Sequence, residues 1–115
     1  RLPILCGSLC ALTIGLSRPF EPGELEGILK RAAGAQPYLG FTEEPLVSGD
    51  IVGDSHSAVV DGLSLSTIGP WGRLLAWYDN EWAYACRLLD LAVSIGRYRG
   101  WLAEGAMTSG AEMKL

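Results

Sequence analysis

The chain has 115 residues, 49% of them hydrophobic and 19% charged, with 9 Lys and Arg against 13 Asp and Glu for a net charge of −4. That suits one domain and excludes two of ordinary size, a disordered segment, and a broad basic surface for nucleic acid. Fifteen glycines and six prolines imply many turns without a collagen-like period. The chain opens on Arg1 and not on Met, so either a segment has been removed or this is a piece of something larger.

The first sixteen residues, RLPILCGSLCALTIGL, imitate a signal peptide, but Pro3, Gly7, Ser8 and Thr13 interrupt the run and no A-x-A-like site follows. A membrane span needs about 20 apolar residues, so this run is too short and no membrane anchor is expected. A buried strand from about Ser8 to Ser17 fits it better. From Pro22 to Ala33, apolar residues at Leu25, Ile28, Leu29, Ala32 and Ala33 lie on one helical face. Glu21, Glu24 and Glu26 suit the positive end of that helix, Lys30 and Arg31 suit the other, and Gly34 is placed to end it. Tyr38 to Thr42 reads as a short strand and Gly49 to Ser55 as a polar loop.

Three more strands are expected over Ser57 to Val60, Leu63 to Ile68 and Arg73 to Tyr78. Gly69-Pro70-Trp71-Gly72 is a strong hairpin signal between the last two, and Asp61-Gly62 hints at another turn. A second helix begins near Asn80, read as its N-cap, with an apolar face of Tyr84, Leu88, Leu91, Ala92 and Ile95. It reaches at least Gly96. The order predicts an α+β fold: an antiparallel or mixed sheet with a helix packed on it and a C-terminal helix. Residues 100–115 thin into Gly, Ala, Ser and Thr and read as a poorly ordered tail.

Three scattered cysteines, Cys6, Cys10 and Cys86, make no disulfide framework and suit a reduced, cytoplasmic setting. With one histidine and no CxxC pair, no zinc site is expected. His56, in Asp54-Ser55-His56-Ser57, reads as a hydrogen-bonding loop residue. No GxSxG, GxGxxG or GxxxxGK[ST] accompanies it. The segment Trp77-Tyr78-Asp79-Asn80-Glu81-Trp82-Ala83-Tyr84 is richer. It places two Trp, two Tyr, two carboxylates and an Asn where a strand gives way to a helix, a common edge of ligand crevices. Asn80 offers both a donor and an acceptor to a carboxamide, and Tyr84 a flat apolar surface. Core packing by the aromatics, with Asn80 only a cap, is the plainer alternative.

The same residues carry a resemblance. WYDNEWAYACRLLDLA resembles the WYDNEWGYSNRVVDL signature of phosphorylating glyceraldehyde-3-phosphate dehydrogenases. Upstream, Phe41-Thr42-Glu43-Glu44-Pro45 resembles YTEDP, and the stretch from Ser48 to Ser57 resembles SSDIVGDPHSS. Arg1-Leu2-Pro3 resembles RVPT, and Ala11-Leu12-Thr13-Ile14 resembles DLTV. The order holds from Arg1 to about Ser94; the erythrose-4-phosphate dehydrogenase branch is the nearest confusable relative.

The resemblance implies the later part of the catalytic domain over residues 1–99, with a helix returning toward a nicotinamide-binding domain. It implies oxidation of a sugar-phosphate aldehyde through a thiohemiacetal and acyl-enzyme. Hydride passes to NAD (NADP is not excluded), inorganic phosphate releases the product, and the full-length protein is a homo-oligomer, typically a tetramer. Arg1 matches the Arg of RVPT and would bind substrate or inorganic phosphate, a task suited to a planar guanidinium. Asn80 matches the Asn of YDNE and would bond the nicotinamide carboxamide, with Tyr84 close by. The Gly-rich fingerprint, the SCTTN motif with its nucleophilic Cys and the activating His are absent from the sequence, so no catalytic residue is assigned and the chain alone is expected to be inactive. Ile4 and Ala83 also depart from the family pattern; the departures at Ala11 and Ala85-Cys86, with the unusual tail after Gly96, keep a second reading open, an inactive relic or stand-alone interaction module with the same fold.

Overall fold

The computed structural model describes residues 4–102. In chain order these form β1 (Ser8–Gly15), α1 (Glu24–Ala35), β2 (Leu39–Thr42), a 3-10 turn (Ser48–Ile51), β3 (Ala58–Ile68), β4 (Trp71–Tyr78) and α2 (Asn80–Tyr98). The strands make one sheet in the order β1-β4-β3-β2. β4 pairs antiparallel with both neighbours and β2 runs parallel to β3, so the sheet is mixed and the fold α+β, as expected.

The hairpin between β3 and β4 turns on Gly69 and Pro70, with Gly69 at φ 55, a left-handed conformation that glycine adopts at little cost. Asp61-Gly62 does not make a second hairpin. β3 runs through it as one strand, with a register shift between Asp61, opposite Leu75, and Ser66, opposite Arg73. Asp61 accepts a hydrogen bond from the Ser64 backbone, and the Ser64 hydroxyl in turn takes the Leu75 N–H. The local side-chain bonds close a bulge here where the dipeptide suggested a chain reversal. A Cβ on Gly62 would lie 2.7 Å from the Thr42 carbonyl, which is why this position carries glycine.

One face of the sheet is covered. Gly72, Leu74 and Ala76 of β4 are buried, Val60 stands opposite Ala76, and α1 packs over β2 and β3. Leu25 of α1 reaches Gly72 closely enough that a Cβ there would touch it at 3.2 Å. α1 starts from Gly23 in the left-handed region with no side-chain cap; Glu24 instead folds back to accept the Glu21 N–H and pairs with Arg18. On the opposite face of β4, Trp71 and Arg73 are exposed and Leu75 and Trp77 half-buried.

α2 departs from its expected orientation. The stripe Tyr84, Leu88, Leu91 and Ile95 is 65%, 51%, 56% and 47% exposed, and the side turned inward is Ala83, Cys86, Val93 and Gly96. Helical periodicity identifies an apolar stripe but not which of two stripes turns inward. The helix ends in a Schellman arrangement: Gly100 at φ 71, its N–H on the Arg97 carbonyl, and the Trp101 N–H on Gly96. Leu102 folds back onto Gly96. The tail expected from residue 100 lies, beyond Leu102, outside the described residues.

Candidate functional site

The junction of β4 and α2 is organised by Asp79. Asn80 was expected to cap α2, but the cap is the residue before it: Asp79 has extended backbone and its Oδ1 accepts the Trp82 N–H at 3.0 Å. Its second oxygen works outside the helix. Oδ2 accepts the Gly53 N–H at 3.0 Å and lies 3.8 Å from the Cys6 thiol. Gly53 presents that N–H from φ 78, a conformation side chains disfavour. Asp79 is 4% exposed. Burial pushes its carboxyl pKa up, but the Gly53 and Trp82 N–H groups and the Cys6 thiol outweigh that and hold it below the ordinary aspartate range.

Asn80 and Tyr84 stand one turn apart on the outward face of α2, both exposed. Their carboxamide and ring are therefore open to a ligand or a docking surface, and neither is packed in the core. Arg1 lies outside the described residues. Glu81, also exposed, lines an open cleft of about 590 Å³ together with Leu5, Cys6, Leu9, Trp77 and Tyr78. Among the described residues, Cys6, Asp79 and Glu81 bring their ligand atoms within 4.8 Å of one another. Thiolate and carboxylates are a donor set for zinc-like ions, but both Asp79 oxygens already serve backbone donors.

His56 is tied down as a loop residue. Asp54 Oδ1 accepts its backbone N–H at 2.8 Å and lies 2.8 Å from its Nδ1. Further along α2, Arg87 bridges the helix to the loops beneath it. Its Nη1 donates to Ser57 Oγ at 2.9 Å, its Nε donates to Asp90, and its guanidinium lies 4.5 Å over the Tyr38 ring. Burial raises the pKa of the Cys86 thiol, which packs in the interior, and Cys6, Cys10 and Cys86 are all free. Sequence reading missed Asp79 and Arg87 as organisers. The signal available for Asp79 was a carboxylate directly before a helical pattern; Arg87 had none, because the partners that tie it to the loops, Ser57 and Tyr38, lie 30 or more residues away.

Against this geometry, the family model for the C-terminal domain of glyceraldehyde 3-phosphate dehydrogenase matches residues 1–80. Glyceraldehyde-3-phosphate dehydrogenase 2 of Streptomyces avermitilis is 41% identical over 99 residues, covering 84% of this chain and 30% of that protein. The Borreliella burgdorferi enzyme is 39% identical over 97 residues, covering 80% of this chain and 29% of its own length, and that of Oncorhynchus mykiss is 40% identical over 94, covering 79% and 28%. The chain has the α+β fold of a dehydrogenase C-terminal domain, and it belongs to the glyceraldehyde 3-phosphate dehydrogenase family. It spans about 30% of the length of the curated relatives it matches. Among the described residues, no helix is long and apolar enough to cross a membrane.

Proposed function

We propose that residues 1–99 form the later part of the catalytic domain of a phosphorylating glyceraldehyde-3-phosphate dehydrogenase acting in cytoplasmic central carbon metabolism. The observation that carries this reading is the outward face of α2. Asn80 and Tyr84 occupy its first turns, and the exposed stripe continues through Leu88, Leu91 and Ile95, as a helix returning to a dinucleotide-binding domain requires. In this reading Asn80 holds the nicotinamide carboxamide through its paired donor and acceptor. Tyr84 shields the same edge from water, and Arg1 holds the phosphate of the substrate or inorganic phosphate as a bidentate donor.

NAD, or NADP, accepts the hydride when bound; the nucleophile and its base come from sequence matching neither Cys6, Cys10, Cys86 nor His56. The chain by itself therefore performs no oxidation, and turnover of glyceraldehyde 3-phosphate with NAD by the isolated chain overturns that statement. The full-length protein is a homo-oligomer in this reading. The substrate reading extends to erythrose 4-phosphate, which presents the same aldehyde and phosphate.

The test of the nicotinamide contact places this chain in the matching stretch of the Streptomyces avermitilis enzyme and compares it with Asn80→Ala. Loss of a hydrogen-bonded pair to the cofactor raises the KM for NAD about tenfold. Unchanged KM and kcat remove Asn80 from the site. A second reading, an inactive module, is favoured by Ala85 and Cys86 where the family signature has Ser-Asn; Cys86 is 1% exposed and serves packing. A graft that binds NAD but turns over no substrate supports that module.

A further inference from the structure

We infer that Asp79 is the positioning residue for the Asn80–Tyr84 face. It fixes the rotation and tilt of α2 against the loops beneath it by strapping the helix to Gly53, beyond its role as a helix cap. The inference rests on the reading of Asn80 as a nicotinamide contact and extends it to the group that aims Asn80.

A helix cap needs one acceptor, and Oδ1 supplies it by taking the Trp82 N–H. Oδ2 joins two further segments, the loop at Gly53 and the lead into β1 at Cys6. Three stretches distant in sequence thus converge on one buried carboxylate, and Asn80 is the next residue. Packing alone orients this helix weakly. Its fully buried residues near the site are Ala83 and Cys86, small side chains that interlock little, with Trp82 half-buried beside them, and its outward stripe is exposed. The second restraint is Arg87, two turns on, which bonds Ser57 and stacks over Tyr38. With Arg87 holding the middle of the helix, Asp79 decides where its first turn points.

The experiment separates a strap from a cap in the full 115-residue chain, read by amide hydrogen exchange and residual dipolar couplings. In Asp79→Ser the shorter hydroxyl still caps Trp82 but does not reach Gly53. The expected result is a Trp82 amide protected as in the parent, a Gly53 amide exchanging about tenfold faster, and couplings of residues 80–84 that no longer fit the parent orientation. Parent-like Gly53 protection and helix orientation in Asp79→Ser overturn the inference and leave Asp79 a cap.

If Asp79→Ser does not fold, an acid titration of the Asp54→Asn, Glu81→Gln double variant decides, because those changes silence the carboxylates next to Gly53 and Asn80. The Gly53 and Asn80 amide shifts then move together with one midpoint, below the ordinary aspartate range. An Asn80 shift that does not follow Gly53 overturns the inference. Failure of Asn80→Ala to alter NAD binding in the graft removes the nicotinamide reading while leaving the strap intact, so the two claims fail separately.

Discussion

The two helices of this chain have similar sequence signatures and opposite situations. α1 lays Leu25 against Gly72 and covers one face of the sheet. α2 turns its larger apolar residues outward, packs through Ala83, Cys86, Val93 and Gly96, and is held to the loops by polar bonds from Asp79 and Arg87. The difference is one of purpose. α1 buries Leu25 while leaving Ile28 exposed, whereas α2 leaves Tyr84, Leu88, Leu91 and Ile95 all exposed, an apolar surface of the kind that marks an interaction site.

Substitutions that break this contrast have graded effects. The largest is expected at Leu25→Ala, which opens a cavity between α1 and the sheet and costs about 2–5 kcal/mol in chemical denaturation. A cost under about 1 kcal/mol there would mean that α1 does not cover a packed core.

A smaller effect concerns how α1 begins. The hydrogen bond from Arg18, then the Glu21 N–H, hold the Glu24 pKa at about 2 against an ordinary 4.5. A carboxyl whose folded pKa is depressed adds stability above its unfolded pKa and loses it as pH falls through the folded one. The contribution of Glu24 is therefore complete above about pH 4.5 and fades toward about pH 2. The pair is solvent-exposed, so the effect is modest. Unfolding midpoints measured across that window are expected to fall less steeply for Glu24→Gln than for the parent; parallel curves would show that Glu24 is not coupled to folding.

The smallest effect is expected at Leu91→Ser. In the isolated chain this outward position tolerates the change within about 0.5 kcal/mol. In the graft carrying a dinucleotide-binding domain, the same substitution costs measurably more. Equal costs in both settings would show that no domain covers the stripe.

Much of this arrangement is legible locally. The 3.6-residue spacing of Leu25, Ile28, Leu29, Ala32 and Ala33 located α1, and Gly69-Pro70 located the hairpin, because both depend on neighbours in the chain. Local chemistry is not enough where distant groups decide. Asp61-Gly62 has turn chemistry, yet bonds between Asp61, Ser64 and Leu75 absorb it as a bulge in a continuous strand. Asn80 is a good cap by residue type, but the chain places Asp79 where its carboxylate reaches both Trp82 and Gly53.

The sequence by itself determined the element types, the α+β class and the family, since these follow from periodicity, turn residues and a long collinear motif match. Only the tertiary structure decided which stripe of α2 turns inward, which residue caps it, and that Gly53, Cys6 and Asp79 meet. The physical reason is that periodicity repeats along one element and carries no information about its rotation. That rotation is set by buried polar groups that must find partners, wherever in the chain those partners lie.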